Sequence, residues 1–297
     1  MNDLIVIKPK KKWLIAIYII VAIIIYSLLE LQIIVISKSK IKKVNYEFAL
    51  IVTQESENIE NERKQKIRRL YSCEEPLTEE QVEKVLDVYN SSQKRVFLTF
   101  DDGPTKNITP QILDILNKRK IKASFFVLGQ RVKQDPEVLK RIYNEGHYIG
   151  NHGYTHDYKQ IYSSVESAIE EYNKTEEEIR KALGKPNFKT KIFRFPGGLA
   201  GGKYNDIKHE IKDVFLENNV AFINWNSLSN DSGGGEVTYD SIMQNVKDTA
   251  GEKNSVVLLM HDAANKQLTV DTLNEVIDYF EERGYTFYNM YDLIGID

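Results

Sequence analysis

The sequence contains few of the residues that build cross-linked proteins, and it has no excess of positive charge. Its 297 residues include one cysteine, Cys73, which excludes an internal disulfide framework and a zinc site made of cysteines. We expect Cys73 to lie in a linker without a role. The formal net charge of -3 gives no basis for a nucleic-acid partner. Hydrophobic residues at 42% and charged residues at 28% are typical of an ordinary globular core in one or two domains.

Charge is also absent from a stretch near the N-terminus. Residues 13–29 include no charged residue, and after Glu30 the apolar run continues to Ser37. Because about 20 apolar residues span a bilayer, the sequence predicts a transmembrane helix over residues 13–37, with a buried core helix as the alternative. The run ends in bulky residues rather than the small ones of a cleavage site, so we expect an uncleaved anchor. Lysines flank both ends, and the expected outward orientation rests on the long C-terminal part.

Beyond the apolar run, the sequence divides into a stalk and a folded domain. We expect a basic cytoplasmic tail, an anchor, a stalk or linker and a folded domain, at residues 1–12, 13–37, 38–93 and 94–297. Apolar residues at helical spacing open the stalk, at positions 41, 44, 48 and 51. Residues 78–81 have the form of a capping box, which predicts a short helix. We expect the apolar face of that helix, at positions 82, 85, 86 and 89, to pack on the folded domain.

From residue 96 onward, short apolar runs alternate with amphipathic stretches of helical period. The apolar runs predict seven strands, at residues 96–100, 123–128, 148–150, 192–195, 221–224, 256–260 and 286–288. The intervening stretches predict helices at residues 110–119, 136–145, 163–183, 204–218, 239–249 and 268–283. Strands joined by helical crossovers form a parallel sheet. The pattern predicts an α/β fold, a deformed parallel (β/α) barrel of about seven strands, with a doubly wound open sheet as the alternative.

Polar residues follow the predicted strands, at the edge where active sites form in parallel barrels. They are Asp101, Asp102, Asn151, His152, His156, Arg194, Trp225, Asn226, Asp231, His261 and Asp262. Each of them alone is also typical of a turn, a loop or a satisfied core position. Together they carry complementary chemistry, because two histidines and one carboxylate are the ligand set of a catalytic zinc site with an open position. A second carboxylate and a further histidine can then act as base and acid.

Five short motifs occur in order along this part of the chain. They are TFDDG at 99–103, NHGYTH at 151–156, RFPGG at 194–198, NWN at 224–226 with Asp231, and LLMHD at 258–262. Together they resemble the motifs of the polysaccharide deacetylases of the NodB-homology type, carbohydrate esterase family 4, over roughly residues 94–292. The resemblance implies a hydrolase that removes N-acetyl groups from a polysaccharide and releases acetate. It also implies that Asp102, His152 and His156 bind a metal, usually zinc, with cobalt or another divalent metal as the alternative.

The remaining roles implied by the resemblance concern proton transfer and substrate contact. Asp101 is the expected general base, held by Arg194, and His261 is the expected general acid. The backbone N–H of Gly197 is expected to help form the oxyanion hole, and Trp225 to contact the substrate. These roles suit amide hydrolysis, since an amide needs an activated water, a stabilised oxyanion and a protonated leaving amine.

The sequence departs from the family pattern at three positions. Gly153 stands where the family usually has Ser or Thr, which removes a hydroxyl that would brace the histidine loop. Gly197 stands where many members have Tyr, so a backbone donor remains but an aromatic wall does not. Leu228 stands where many relatives have Asp, and Asp231 is the best candidate for the acid that orients the histidine or the arginine.

Nucleotide binding and glycan binding without turnover are the two alternatives to deacetylation. GGLAGGK at 197–203 resembles a phosphate loop, but Tyr204 replaces the Ser or Thr that binds magnesium, so we expect no nucleotide. An inactive glycan-binding surface protein is the other alternative, although a binder needs neither base nor acid. An outward-facing domain on a single-pass cell-membrane anchor would meet cell-wall glycan, which favours peptidoglycan as substrate and leaves chitin, poly-N-acetylglucosamine and acetylated xylan open.

Overall fold

The computed structural model describes residues 11–70 and 76–295, with side chains for residues 16–62 and 76–295. The chain separates into two compact units, Met1–Gln65 and Lys66–Asp297. Cys73 and residues 1–10 lie outside the described residues, so the expectations for them stay predictions.

Helix α1 (Lys11–Leu70) includes all the described residues of the first unit. Its apolar side chains from Ile17 to Ile36 are exposed, so none of the described residues covers them. By length and composition, the stretch Ala16–Glu62 is sufficient to cross a membrane. The helix continues into the predicted stalk as far as Leu70.

The second unit combines helices and strands in alternation. Its helices are α2 (Glu79–Leu86), α3 (Thr109–Arg119), α4 (Gly129–Gln134), α5 (Pro136–Asn144), α6 (Tyr158–Ile161), α7 (Val165–Leu183), α8 (Asn205–Glu217), α9 (Tyr239–Ala250), α10 (Gln267–Glu282) and α11 (Met290–Ile294). Its strands are β1 (Arg95–Asp101), β2 (Ser124–Val127), β3 (Tyr148–Asn151), β4 (Ile192–Phe193), β5 (Ala221–Phe222), β6 (Ser227–Leu228), β7 (Ser255–His261) and β8 (Thr286–Tyr288). The six predicted long helices are present within two residues of their expected ends.

The strands form one parallel, curled sheet with helices around it, so the predicted deformed (β/α) barrel is confirmed. The strand order is β5-β4-β3-β2-β1-β7-β6, and β8 pairs with the first half of β1. Among the described residues, β5 and β6 are not paired with each other, so the barrel is open between them. The sheet has eight strands rather than seven. The additional strand is β6, which has two residues, too few to show an alternation of apolar and polar residues in the sequence.

Side-chain alternation along β1 explains where its last residue points. Phe97 packs in the core cluster that also contains Val257 of β7, whereas the even-numbered residues of β1 pack in the opposite cluster. Because successive side chains of a strand point to opposite faces, Thr99 and Asp101 share the face of Phe97. The same alternation places His261 on the face of Val257. Asp101 and His261 therefore lie on the same face of two neighbouring strands.

Helix α2 begins at the predicted capping box and packs against the rest of the second unit. Gln81 N donates to Thr78 Oγ1 at 3.2 Å, and Thr78 N donates to the Gln81 side chain at 2.9 Å. Val82 and Val85 are buried in the core cluster that contains Phe97. The expectation that position 86 belongs to the packed face was wrong, because Leu86 is 37% exposed.

Candidate active site

The ends of β1 and β7 place Asp101 opposite His261. The two strands are parallel, and their register pairs Asp101 with His261. Both residues occupy the carboxyl end of the sheet, where the sequence analysis expected them. Asp102 and Asp262 directly follow these two strands, and the segments after β3, β4, β5 and β6 carry the other predicted residues.

Asp101 is a buried carboxylate held by a buried arginine. Arg194 Nη1 donates to Asp101 Oδ1 at 2.9 Å and to Thr99 Oγ1 at 2.7 Å. The rest of the guanidinium donates to the carbonyls of Ile223 and Asn224, and its face lies 4.0 Å from the Phe126 ring centre. Burial raises the pKa of Asp101, and the charge of Arg194 acts against this. A raised pKa suits a carboxylate that must accept a proton near neutral pH.

Asp102, His152 and His156 meet beside Asp101. One ligand atom from each of the three lies within 4.8 Å of the others. Asp102 Oδ1 is 3.6 Å from His152 Nε2 and 3.4 Å from His156 Nε2. This carboxylate oxygen is buried, and among the described residues it has no hydrogen-bond partner. An unpaired buried carboxylate oxygen is costly, and a cation held by these three groups would remove that cost.

The ring of His152 is oriented for metal binding. Its Nδ1 lies 2.8 Å from the carbonyl oxygen of Arg194, which can only accept, so Nδ1 carries the proton and Nε2 keeps its lone pair. Burial lowers the pKa of His152 to about 3, with the charge of Asp102 acting in the opposite direction. The imidazole is therefore neutral, as a metal ligand must be. The donor set and its geometry fit a divalent cation.

Two of these three residues adopt a backbone conformation that non-glycine residues rarely take. The φ angle is 77° at Asp102 and 64° at His156. Such conformations cost of order 1–3 kcal/mol each and concentrate at active sites. The fold accepts this strain while turning both side chains toward one point.

The histidine loop is braced without the hydroxyl that Gly153 lacks. Gly153 N donates to Asn151 Oδ1 at 2.9 Å, and Glu171 Oε2 accepts the N–H groups of Tyr154 and Thr155, each at 2.8 Å. Glu171 is 2% exposed and lies on α7. The positive φ of 82° at Gly153 suits glycine. The bracing therefore comes from an amide at the end of β3 and a carboxylate on a neighbouring helix.

Asp231 contacts the histidine and not the arginine. Its Oδ1 is 2.7 Å from His261 Nδ1, and its Oδ2 accepts from His261 N at 2.8 Å and from Thr269 Oγ1 at 2.7 Å. Burial alone would lower the pKa of His261, but the hydrogen bond and charge of Asp231 outweigh it and raise the pKa. Leu228, where relatives have Asp, is a residue of β6 paired with Leu259.

Gly197, in the loop after β4, and Trp225, between β5 and β6, lie near the same edge. Gly197 has a φ of 72° and its β-carbon position faces Tyr158. Trp225 is half-buried, and its ring lies against the neighbouring Gly198. Both positions stay predictions as substrate-contacting groups.

Several residues that shape the site were not singled out from the sequence. They are Thr99, Tyr158, Glu171 and Thr269. Asp262, which was expected at this edge, is buried beside Gly103 and accepts from Thr109 Oγ1 at 2.6 Å. Thr99 carried a readable signal, because strand alternation puts it on the face of Asp101. The other contacts join segments far apart in sequence, and no local pattern indicates them.

Comparison with known proteins agrees with this geometry. Residues 89–213 match the family model described as polysaccharide deacetylase. The chain is 33% identical to a peptidoglycan-N-acetylglucosamine deacetylase of Bacillus cereus, with 67% of each chain covered. It is 29% identical to a peptidoglycan-N-acetylmuramic acid deacetylase of Bacillus subtilis, covering 69% of this chain and 73% of the relative. The solved structure of a Streptococcus mutans CE4 esterase superposes with a TM-score of 0.63 at 30% identity, covering 74% of this chain and 91% of that one. The chain therefore belongs to the polysaccharide deacetylases of carbohydrate esterase family 4, a family of hydrolases.

Proposed function

We propose that this chain is a membrane-anchored, metal-dependent deacetylase that removes N-acetyl groups from cell-wall glycan. One observation carries the proposal. Three groups of residues meet at one edge of the sheet. They are Asp102, His152 and His156 (the cation-binding trio), Asp101 with Arg194, and His261 with Asp231. Peptidoglycan N-acetyl sugars are the favoured substrate.

Asp102, His152 and His156 would hold the metal, and we propose zinc. Two histidines and a carboxylate with an open position are the usual ligand set of a catalytic zinc site. When bound, a divalent cation polarises the acetyl carbonyl and lowers the pKa of a water molecule. Cobalt or another divalent metal with the same ligand preferences is the alternative.

The protein's own groups would divide the proton transfers between two sides of the substrate. Asp101 takes a proton from the attacking water, and Arg194 holds its carboxylate in place. The Gly197 N–H donates to the oxygen on which negative charge develops. His261 gives its proton to the sugar nitrogen as the carbon–nitrogen bond breaks, while Asp231 stabilises the charged imidazolium before transfer. The products are acetate and a free amino sugar.

The substrate proposal rests on relatives and on placement. The Bacillus relatives are named for N-acetylglucosamine and N-acetylmuramic acid of peptidoglycan. Release of acetate by the full-length chain in detergent, supplied with zinc or cobalt, tests it. We expect acetate release from peptidoglycan. Chitin oligomers, poly-N-acetylglucosamine and acetylated xylan are the alternative substrates to assay beside it. Zinc bound without any acetate release would instead support an inactive glycan-binding protein.

We propose that residues 13–37 anchor the chain and that residues 38–93 form a stalk holding the domain at 94–297 outside the cell, with residues 1–12 in the cytoplasm. The exposed apolar surface of α1 supports this. Protease added to intact protoplasts should remove the C-terminal domain and leave a protected N-terminal tag. A cytoplasmic marker protein, cleaved only after permeabilisation, is the control. Full protection of the domain, or a soluble mature form, would contradict the proposed topology.

Asp231→Asn should shift the alkaline limb of the pH–rate profile to lower pH. A general acid must be protonated, so activity is lost as pH rises through its pKa. Because Asp231 raises the pKa of His261, removing its charge lowers that pKa. We expect kcat/KM to fall by about tenfold at pH 8 and by less at pH 6, short of the 10²–10⁴-fold worth of a general acid, since His261 remains.

The matched control for this profile is Asp240→Asn, the same change at an exposed position in the first turn of α9. The pH–rate profile of this variant should match that of the wild type. An unmoved alkaline limb in Asp231→Asn would mean that His261 is not the titrating acid.

A further inference from the structure

The space beside Gly197 is filled by a side chain from another segment. A β-carbon on Gly197 would lie 2.7 Å from the hydroxyl oxygen of Tyr158 and 3.0 Å from its Cζ. Gly197 therefore leaves room for Tyr158, the first residue of α6. Position 197 has no aromatic side chain of its own, and the ring of Tyr158 occupies the space beside it.

Tyr158 is fixed from both sides. Its ring centre is 5.3 Å from that of His156 and 5.9 Å from that of Tyr162. The Tyr162 hydroxyl donates to the Pro196 carbonyl at 2.8 Å. The ring thus connects a residue of the cation-binding trio to the turn that contains Gly197.

The hydroxyl of Tyr158 is available to a ligand. In the part of the chain that the structure describes, the hydroxyl makes no hydrogen bond, and the residue is 37% exposed. A phenol has an ordinary pKa of about 10 and is a donor at neutral pH. A neutral donor beside a backbone N–H is the arrangement that stabilises an oxyanion.

We propose that Tyr158 is a substrate-contacting catalytic residue, whose hydroxyl donates to the acetyl carbonyl oxygen beside the Gly197 N–H. This inference rests on the proposed deacetylase function. The acetyl oxygen must face both the cation-binding trio and the Gly197 N–H, and Tyr158 lies between His156 and Gly197. Its ring also forms the wall against which the acetylated sugar lies.

The test compares three variants of the full-length chain with the wild type in detergent with zinc. Acetate release is measured from peptidoglycan and from an N-acetylglucosamine oligomer. Tyr158→Phe should lower kcat by about 10- to 10²-fold, with KM and zinc content close to wild type, because it removes one donor. Tyr158→Ala should also raise KM, because it removes the wall. Tyr154→Phe, the same change four residues earlier at a ring that lies against Gly129, should equal wild type.

A role limited to packing predicts a different pattern. If Tyr158 only supported His156, Tyr158→Phe would keep full activity and Tyr158→Ala would lose zinc, and that result overturns the proposal. An active wild type with all three variants unimpaired also overturns it while leaving the deacetylase function in place. A zinc-loaded wild type that releases no acetate from either glycan overturns both.

Discussion

Asp101→Asn should retain the bound metal and lose roughly 10²–10⁴-fold in kcat, the usual worth of a positioned general base. Asparagine has nearly the size of aspartate, but its amide does not take a proton from water. The three proposed metal ligands lie on other residues. Metal content and rate should therefore separate in this variant. The acidic limb of the pH profile, set by ionisation of the base as pH rises, should disappear with it.

The buried arginine makes stability part of this prediction. Arg194 is fully buried and would lose its anionic partner, although Thr99 and two backbone carbonyls still accept from it. Breaking a buried ion pair by removing one partner costs about 3–5 kcal/mol in many proteins. The rates must therefore be measured well below the melting temperature of the variant, recorded alongside.

Asp102→Asn is the matched comparison, because it makes the same change one residue along. It should lose metal and activity together, since Asp102 Oδ1 faces both histidines. If Asp101→Asn loses the metal while Asp102→Asn keeps it, the two carboxylates have exchanged roles. Wild-type zinc content and rate in both variants would mean that this stretch is only a turn.

The sequence predicts which strand ends carry chemistry, but not how the residues pair. Asp101 and His261 were expected at one edge of a parallel sheet, because apolar runs separated by helical stretches identify strand ends. They face each other because of the register between β1 and β7, two strands that are far apart in the sequence. For Asp231 the sequence left histidine and arginine open as partners, and the contact with His261 decides between them.

The residues that support the site indirectly cannot be recognised from the sequence around them. Glu171 lies in a helix rich in charge, where an exposed face is the ordinary interpretation. It is buried because it accepts three donors from the histidine loop and Gln160 donates to its other oxygen. The departure at Gly153 suggested a looser loop, and the compensation comes from this distant carboxylate. Tyr158 likewise has no sequence signal, since its relation to Gly197 exists only in three dimensions.

His152→Ala should lower metal affinity and acetate release together. It removes one of the three proposed metal ligands, so we expect affinity to fall by more than the 10–100-fold cost of losing an outer-shell partner. Metal bound only to the folded state stabilises it by about 2.7 kcal/mol at a free concentration of 100 Kd. Zinc should therefore raise the melting temperature of the wild type and leave that of His152→Ala nearly unchanged at the same concentration.

Two further variants separate loss of the metal from loss of chemistry. His209→Ala makes the same change on α8, where the ring contacts only the Asn205 carbonyl among its described hydrogen bonds, and should match wild type in metal content and rate. His261→Ala should keep the zinc-dependent rise in melting temperature yet lose activity, because its ring is bound to Asp231 rather than to the trio. A zinc response in His152→Ala equal to wild type would place the metal elsewhere. If zinc no longer raised the melting temperature of His261→Ala, that histidine would be a metal ligand. The proposed general acid for the departing amine would then be wrong.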